Sequence, residues 1–171
     1  MIVYTFRMLS DENDHFVRDY EVPSTLTLLE LHEFIIDTLE YDQCMTSFFT
    51  ADSKWEKIEE FTTVYMGFEP SSEENVPRSM DSVALCDILS HMHDRLIYNF
   101  DLFVSRAYYL ELIDAKEVND PHRYPRESFA HATPPDQYDP YDSEEDGSIF
   151  DEMMDDFCGF DGKDDNYEDE Y

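Results

Sequence analysis

Glycine is scarce: the chain has four in 171 residues. No glycine-rich loop able to cradle a phosphate, no G-x-S-x-G elbow and no H-E-x-x-H helix is present, which removes the commonest sequence signs of a nucleotide-binding protein, a serine hydrolase or a zinc protease. Long apolar runs are missing, so no membrane-spanning helix is expected. The opening MIVYTFRML lacks a basic stretch followed by an apolar core, and no signal peptide is expected from it. Cysteine is sparse and odd in number; Cys44, Cys86 and Cys158 are scattered, which argues against a disulfide framework or a zinc knuckle and suits a reducing cytoplasm. Basic residues are few. Eleven Lys and Arg face 42 Asp and Glu, giving a formal net charge of −31. Direct binding to a nucleic-acid backbone relies on cations and would meet phosphate repulsion here, and an anionic membrane surface is disfavoured for the same reason. A basic protein partner, cations or solubility alone fit this charge.

The residues that are present imply an α+β fold. The clearest element is an amphipathic helix over residues 27–40. Leu28, Leu31, His32, Ile35, Ile36 and Leu39 share one face, and Glu30, Glu33, Asp37 and Glu40 lie elsewhere on its surface. Thr27 and Glu30 form a T-x-x-E capping box. Before the helix, residues 2–9 and 16–22 read as strands joined by a short polar link, an antiparallel hairpin. The first has Ile2, Tyr4, Phe6 and Met8 in phase; the second has Phe16, Arg18, Tyr20 and Val22.

Further strands are expected over 46–51 and within 54–62, a loop over 69–78, and a second helix over 82–92 with Leu85, Ile88, Leu89 and Met92 on one face. Residues 95–101 and 105–114 form a late hairpin, with Leu96, Tyr98 and Phe100 on one face and Tyr108, Leu110 and Leu112 on the corresponding face. The whole is a mostly antiparallel, curved sheet with two helices packed on it. Trp55 is expected to pack rather than to serve as a ligand platform.

Composition divides the chain into a domain over 1–120, a Pro-rich extension over 121–137 whose prolines break regular elements, and an acidic low-complexity tail over 138–171. From Asp136 onward there are sixteen acidic residues against one lysine, Lys163, a composition expected to stay disordered and solvating. The alternative is docking, with Phe150, Met153, Met154 and Phe157 on one side of a short induced helix.

Three constellations bear on metals and pockets. The run from Asp142 places oxygen ligands and Gly147 as a calcium loop would, but its twelfth position is Met153 instead of a bidentate glutamate, and Pro140 blocks an entering helix. His91, His93 and Asp94 lack the third or fourth spaced ligand that zinc needs, and read as a solvated helix end. No metal or cofactor is expected. His32 within the apolar stripe reads as a hydrogen-bonded core residue; a pocket formed with Arg18 and Tyr98 is the functional alternative. Arg18, in the apolar phase of its strand, is expected to snorkel at the sheet edge or pair with a carboxylate, with anion binding in a groove as the sharper alternative.

The order YTFRML, FVRDYEVPSTLTLLELHEFI, MTSFF, WEK, RLIYNFD with RAYYLELI, and PPDQ is similar to the Ri-plasmid ORF-3-like family, whose members also carry the description of transposon-passenger proteins of TnpR type. The likeness spans about residues 1–137 and is greatest to short acidic-tailed versions from Bacteroidetes-like bacteria. The resemblance implies a helix on a curved sheet and no established reaction. It marks Leu31-His32, and Met45 to Phe49 ahead of Trp55-Glu56-Lys57. Departures are Asn99 to Phe103 in place of a D-F-G-D-x-W-like turn, Val17-Arg18-Asp19 in place of W-R-R, and Thr133 to Gln137 in place of a C-P-P-E-D-x-G-G close. If those motifs build a groove in other members, this chain has altered it.

The function expected is that of a non-enzymatic bacterial interaction module with an acidic docking or solvating tail. Two alternatives stand beside it: an acidic mimic of nucleic acid that binds a basic DNA-handling protein, and a small ligand-binding or enzymatic domain with a pocket near His32.

Overall fold

Alternating apolar residues along several segments demand one wide sheet with a covered face, and the one long amphipathic helix covers it. A computed structural model describes residues 1–63 and 77–138. All of them but Tyr138 belong to the compact unit Met1–Gln137. The strands are β1 (Ile2–Ser10), β2 (Val17–Pro23), β3 (Ser47–Ala51), β4 (Lys57–Thr62), β5 (Arg78–Ser79), β6 (Arg95–Asp101), β7 (Arg106–Glu117) and β8 (Arg126–His131); the helices are α1 (Leu28–Leu39) and the single turn α2 (Leu85–Ile88). All eight strands form one sheet in the order β5-β4-β3-β6-β7-β1-β2-β8. Its pairings are antiparallel apart from the short parallel contact of β4 with β5.

The expected β1–β2 and β6–β7 hairpins are present, with Phe6 opposite Tyr20 and Tyr98 opposite Tyr108. In α1 the six expected residues are the buried ones, and the Thr27–Glu30 capping box is complete: the Glu30 amide donates to Thr27 Oγ1 at 3.2 Å and the Thr27 amide to the Glu30 carboxylate at 2.8 Å. Glu40 closes the helix in the left-handed region, φ 57°. The core joins Leu28, Leu31, Ile35 and Leu39 of α1 to Phe6, Tyr20, Phe48, Tyr98, Tyr108 and Leu110 of the sheet.

Three expectations are corrected. The second helix does not run over 82–92; it is one turn, preceded by a 3₁₀ turn at Met80–Ser82. Backbone bonds tie this stretch to the chain entering α1, from Leu28 N to Val83 O (3.0 Å), Leu85 N to Leu26 O (2.9 Å) and Cys86 N to Ser24 O (2.8 Å). Beyond it, the Asp94 carboxylate accepts the amides of Ser90 and His91 and curls the chain away, leaving Met92 exposed. The prolines do not keep 121–137 irregular. Pro121 and Pro125 precede β8 and Pro134 follows it, so the segment between is free to pair with β2, and does. The strand expected within 54–62 is present and begins at Lys57. The Asp52 carboxylate accepts the amides of Lys54 (2.7 Å) and Glu56 (2.9 Å), and Trp55 takes φ 65°, so 52–56 is a turn. Finally Ile2, placed in the apolar phase of its strand, is exposed, whereas Val3, one residue out of phase, is buried; β1 shifts register against β7 at Thr5/Phe6.

The side of the sheet away from α1 carries ion pairs. Arg7 grips Asp19 through two bonds, Nε at 2.9 Å and Nη2 at 2.8 Å. Glu21 receives both Lys116 and Arg126. Glu111 receives Arg95 at 3.0 Å and His93 at 2.8 Å. These pairs let an antiparallel sheet keep one face polar. The cations beside Glu21 and the donors on Glu111 hold both carboxyls below the usual carboxylate range, against the burial that raises them.

Candidate functional site

The long helix divides the chemistry of the molecule in two. Its inner face meets buried hydroxyls. His32 Nδ1 lies 2.8 Å from the Tyr98 hydroxyl and 3.2 Å from Thr46 Oγ1. Tyr20 bonds Thr38 at 2.8 Å, and Tyr41 bonds Tyr108 at 2.6 Å. Burial lowers the His32 pKa and raises those of Tyr20, Tyr98 and Tyr108. The imidazole and phenols are therefore neutral at neutral pH, and what they form is a hydrogen-bonded lattice through the core. His32 is 2% exposed, and the two concavities described below include none of Arg18, His32 and Tyr98.

Of these three residues, the structure brings His32 and Tyr98 together and places Arg18 at the junction of β2 with the end of β8. Arg18 donates to the carbonyls of Val17, His131 and Ala132, each at 2.9 Å, and pairs with Glu127 at 3.3 Å. Its guanidinium also stacks 4.6 Å over the Phe16 ring. The carboxylate pairing expected for it is present, and these partners occupy the donors that an anion would need.

The outer face of α1 is different. Glu30, Glu33 and Asp37 follow helical spacing along a shallow groove of about 530 Å³ that Phe34, Ile36 and Tyr41 also line. Glu33 and Asp37 have no ion pair among the described residues. Cations to neutralise them are not to spare. Eight of the eleven Lys and Arg are already committed to carboxylates within the fold, the pairs being Arg7–Asp19, Arg18–Glu127, Arg78–Glu59, Arg95–Glu111, Arg106–Glu12, Lys116–Glu21, Arg123–Asp120 and Arg126–Glu21. The surface is left with an uncompensated acidic excess, and the groove combines that excess with aromatic side chains.

A second concavity, of about 440 Å³, lies between β4 and the turn before β6, where Arg78 and Arg95 face Glu59, Asp87 and Asp94. Its charges are mixed and largely paired. His91 there contacts Ser90 Oγ at 2.9 Å, and His93 turns away to Glu111 with φ 70°. No group of three or more His, Cys, Asp or Glu among the described residues is placed to hold a metal ion. Trp55 packs edge-on to Tyr109, their centroids 5.2 Å apart, beneath the Arg95 guanidinium at 4.6 Å. No helix among the described residues is long and apolar enough to cross a membrane. The calcium-like run from Asp142, and the docking set Phe150, Met153, Met154 and Phe157, lie outside the described residues.

One feature escapes motif reading. After β8 the segment Thr133 to Gln137 is strapped back onto the domain by Asn13, Tyr41, Asp42 and Arg106. The only sequence sign of it is the PPDQ stretch.

Comparison with curated proteins gives no match. Among solved structures, a protein of unknown function from Methanosarcina mazei Go1, MM3350, is similar with a TM-score of 0.63 at 17% identity, over 98% of this chain and 94% of that one. At that identity the likeness concerns the fold. Residues 3–145 match the family described as plasmid pRiA4b ORF-3-like protein, the family that the order of strands, helix and PPDQ segment resembles. The chain belongs to the plasmid pRiA4b ORF-3-like family.

Proposed function

We propose that this protein is a binding module, not a catalyst, and that it engages a basic protein partner through the acidic outer face of α1. The observation that carries the reading is a groove lined by Glu30, Glu33 and Asp37 together with the Phe34 and Tyr41 rings, on a surface where most cations are spent on internal pairs. A lysine or arginine side chain fits such a groove twice over, its charge against the carboxylates and its stem or guanidinium against the rings. Acidic surplus elsewhere would speed encounter without fixing the pose. The acidic tail adds to that steering field in this reading, and its four apolar residues are a second contact for the same partner.

The test uses a lysine- and arginine-rich peptide as bait, with a composition-matched neutral peptide as control, titrated into the full chain at rising salt. Selective binding that weakens with salt and drops about tenfold in the triple variant Glu30→Gln, Glu33→Gln, Asp37→Asn is expected. Equal binding by the variant would move the contact off α1. Indifference to salt would sink the electrostatic reading. Competition by duplex DNA for a captured natural partner would identify that partner as a DNA-handling protein.

A further inference from the structure

We infer that the recess beside Tyr41 and Arg106 is a peptide-binding site, filled here by the chain's own residues 133–137, and that the same segment of a second copy can take it. The contacts are those of main-chain recognition. Asn13 Nδ2 donates to the Thr133 carbonyl at 3.2 Å, the Tyr41 hydroxyl to that of Pro135, and Arg106 to those of Asp136 (2.6 Å) and Gln137 (2.9 Å). In these four bonds the donor comes from the recess and the acceptor is a strap carbonyl. Pro134 and Pro135 have no amide hydrogen, so the segment presents acceptors without leaving backbone donors stranded. Gln137 then reads the Asp42 backbone as a neighbouring strand would: its Oε1 accepts from Asp42 N at 2.6 Å and its Nε2 donates to Asp42 O at 2.9 Å. The specificity written into the recess is x-Pro-Pro-x-Gln.

The donors are held ready by groups beneath them. Tyr41 gives its only hydrogen to Pro135, so in the 2.6 Å contact between the two phenols Tyr108 must donate to Tyr41. Arg106 is fixed by two 2.7 Å bonds to Glu12 and lies 4.9 Å over the Phe100 ring. The strap leaves β8 through Ala132, a non-glycine residue at φ 61°, in the left-handed region that a residue with a Cβ disfavours. Exchange of straps between two copies keeps every contact in the recess and lets Ala132 relax, a low-cost route to a dimer. The recess shares Tyr41 with the acidic groove on α1 but uses none of that groove's carboxylates. It also has the opposite salt dependence, because screening relieves the repulsion between two copies of net charge −31.

The experiment titrates a fluorescent peptide of residues 131–137 into the full wild-type chain and into its Gln137→Ala variant, whose own strap has lost both bonds to Asp42. About tenfold tighter capture by the variant is expected, and weaker capture of a peptide with Ala-Ala in place of Pro-Pro. In parallel, the wild-type chain is followed by analytical ultracentrifugation, where a dimer that grows with salt and is dissolved by excess peptide is expected. A nitroxide-tagged peptide should broaden the Arg106 Nε–H resonance in wild-type protein, a readout that stands even if the variant does not fold. No binding to the variant together with no broadening in the wild type overturns the site. Peptide binding by a chain that stays monomeric to millimolar concentration overturns the second copy as occupant.

Discussion

The Tyr98 hydroxyl sits 2.8 Å from His32 Nδ1 across 66 residues of sequence, joining α1 to the middle of β6 through a fully buried contact. A Tyr98→Phe substitution keeps the ring and removes the hydroxyl. His32 is then left with Thr46 alone, and the loss is expected to be about 1–3 kcal/mol, read from urea unfolding. A change below about 0.5 kcal/mol would mean that Thr46 satisfies the imidazole by itself.

Burial depresses the His32 pKa, so below the ordinary histidine value the unfolded chain takes up a proton that the folded chain refuses. Stability should therefore fall as pH drops through the unfolded pKa near 6.5, and continue to fall until the depressed folded value is reached. Unfolding free energies at pH 7 and pH 5.5 for the wild type and His32→Gln isolate this contribution. The variant should show a smaller difference between the two pH values, and an unchanged difference would exclude His32 as its source.

Thr27→Ala opens the capping box while leaving the buried helix face intact. The expected cost is about 1 kcal/mol, seen as a lower Tm with unchanged denaturant dependence.

Ile35 is fully buried between α1 and the sheet, whereas Phe103, at the β6–β7 turn, is 99% exposed. Ile35→Ala should cost about 2–5 kcal/mol and Phe103→Ser no more than about 0.5 kcal/mol. Comparable losses at the two sites would contradict the burial pattern.

Elements whose character is written in local periodicity were readable from the residues. The stripe from Leu28 to Leu39 and the phases of Tyr98 and Tyr108 needed no distant partner to be recognised. What failed depended on partners far away in sequence. The apolar spacing of Leu85, Ile88, Leu89 and Met92 suits a helix, but Leu26 and Ser24 take the amides that open it and the turn at Asp94 curls the chain away after a single helical turn. Residues 126–131 alternate no apolar side chains toward a core, so only the free edge of β2 shows why they form a strand. The same applies to the site. His32 and Tyr98 could be singled out one by one, but Arg18 could not be assigned to the β8 terminus, nor Arg106 to the strap, until the fold brought carbonyls to them.

The position of β1 between β7 and β2 has a kinetic meaning. Its pairing with β2 is local, but its longer pairing sets Ile2 against Glu117, and the Met1 and Val118 backbones close a loop of 117 positions. The centre of the sheet cannot assemble until both distant strands are available, and closing so large a loop precedes any of the contacts that reward it. Refolding should accordingly fall in the millisecond-to-second range of non-local β topologies, with the β1–β7 seam the last part of the sheet to gain protection from hydrogen exchange.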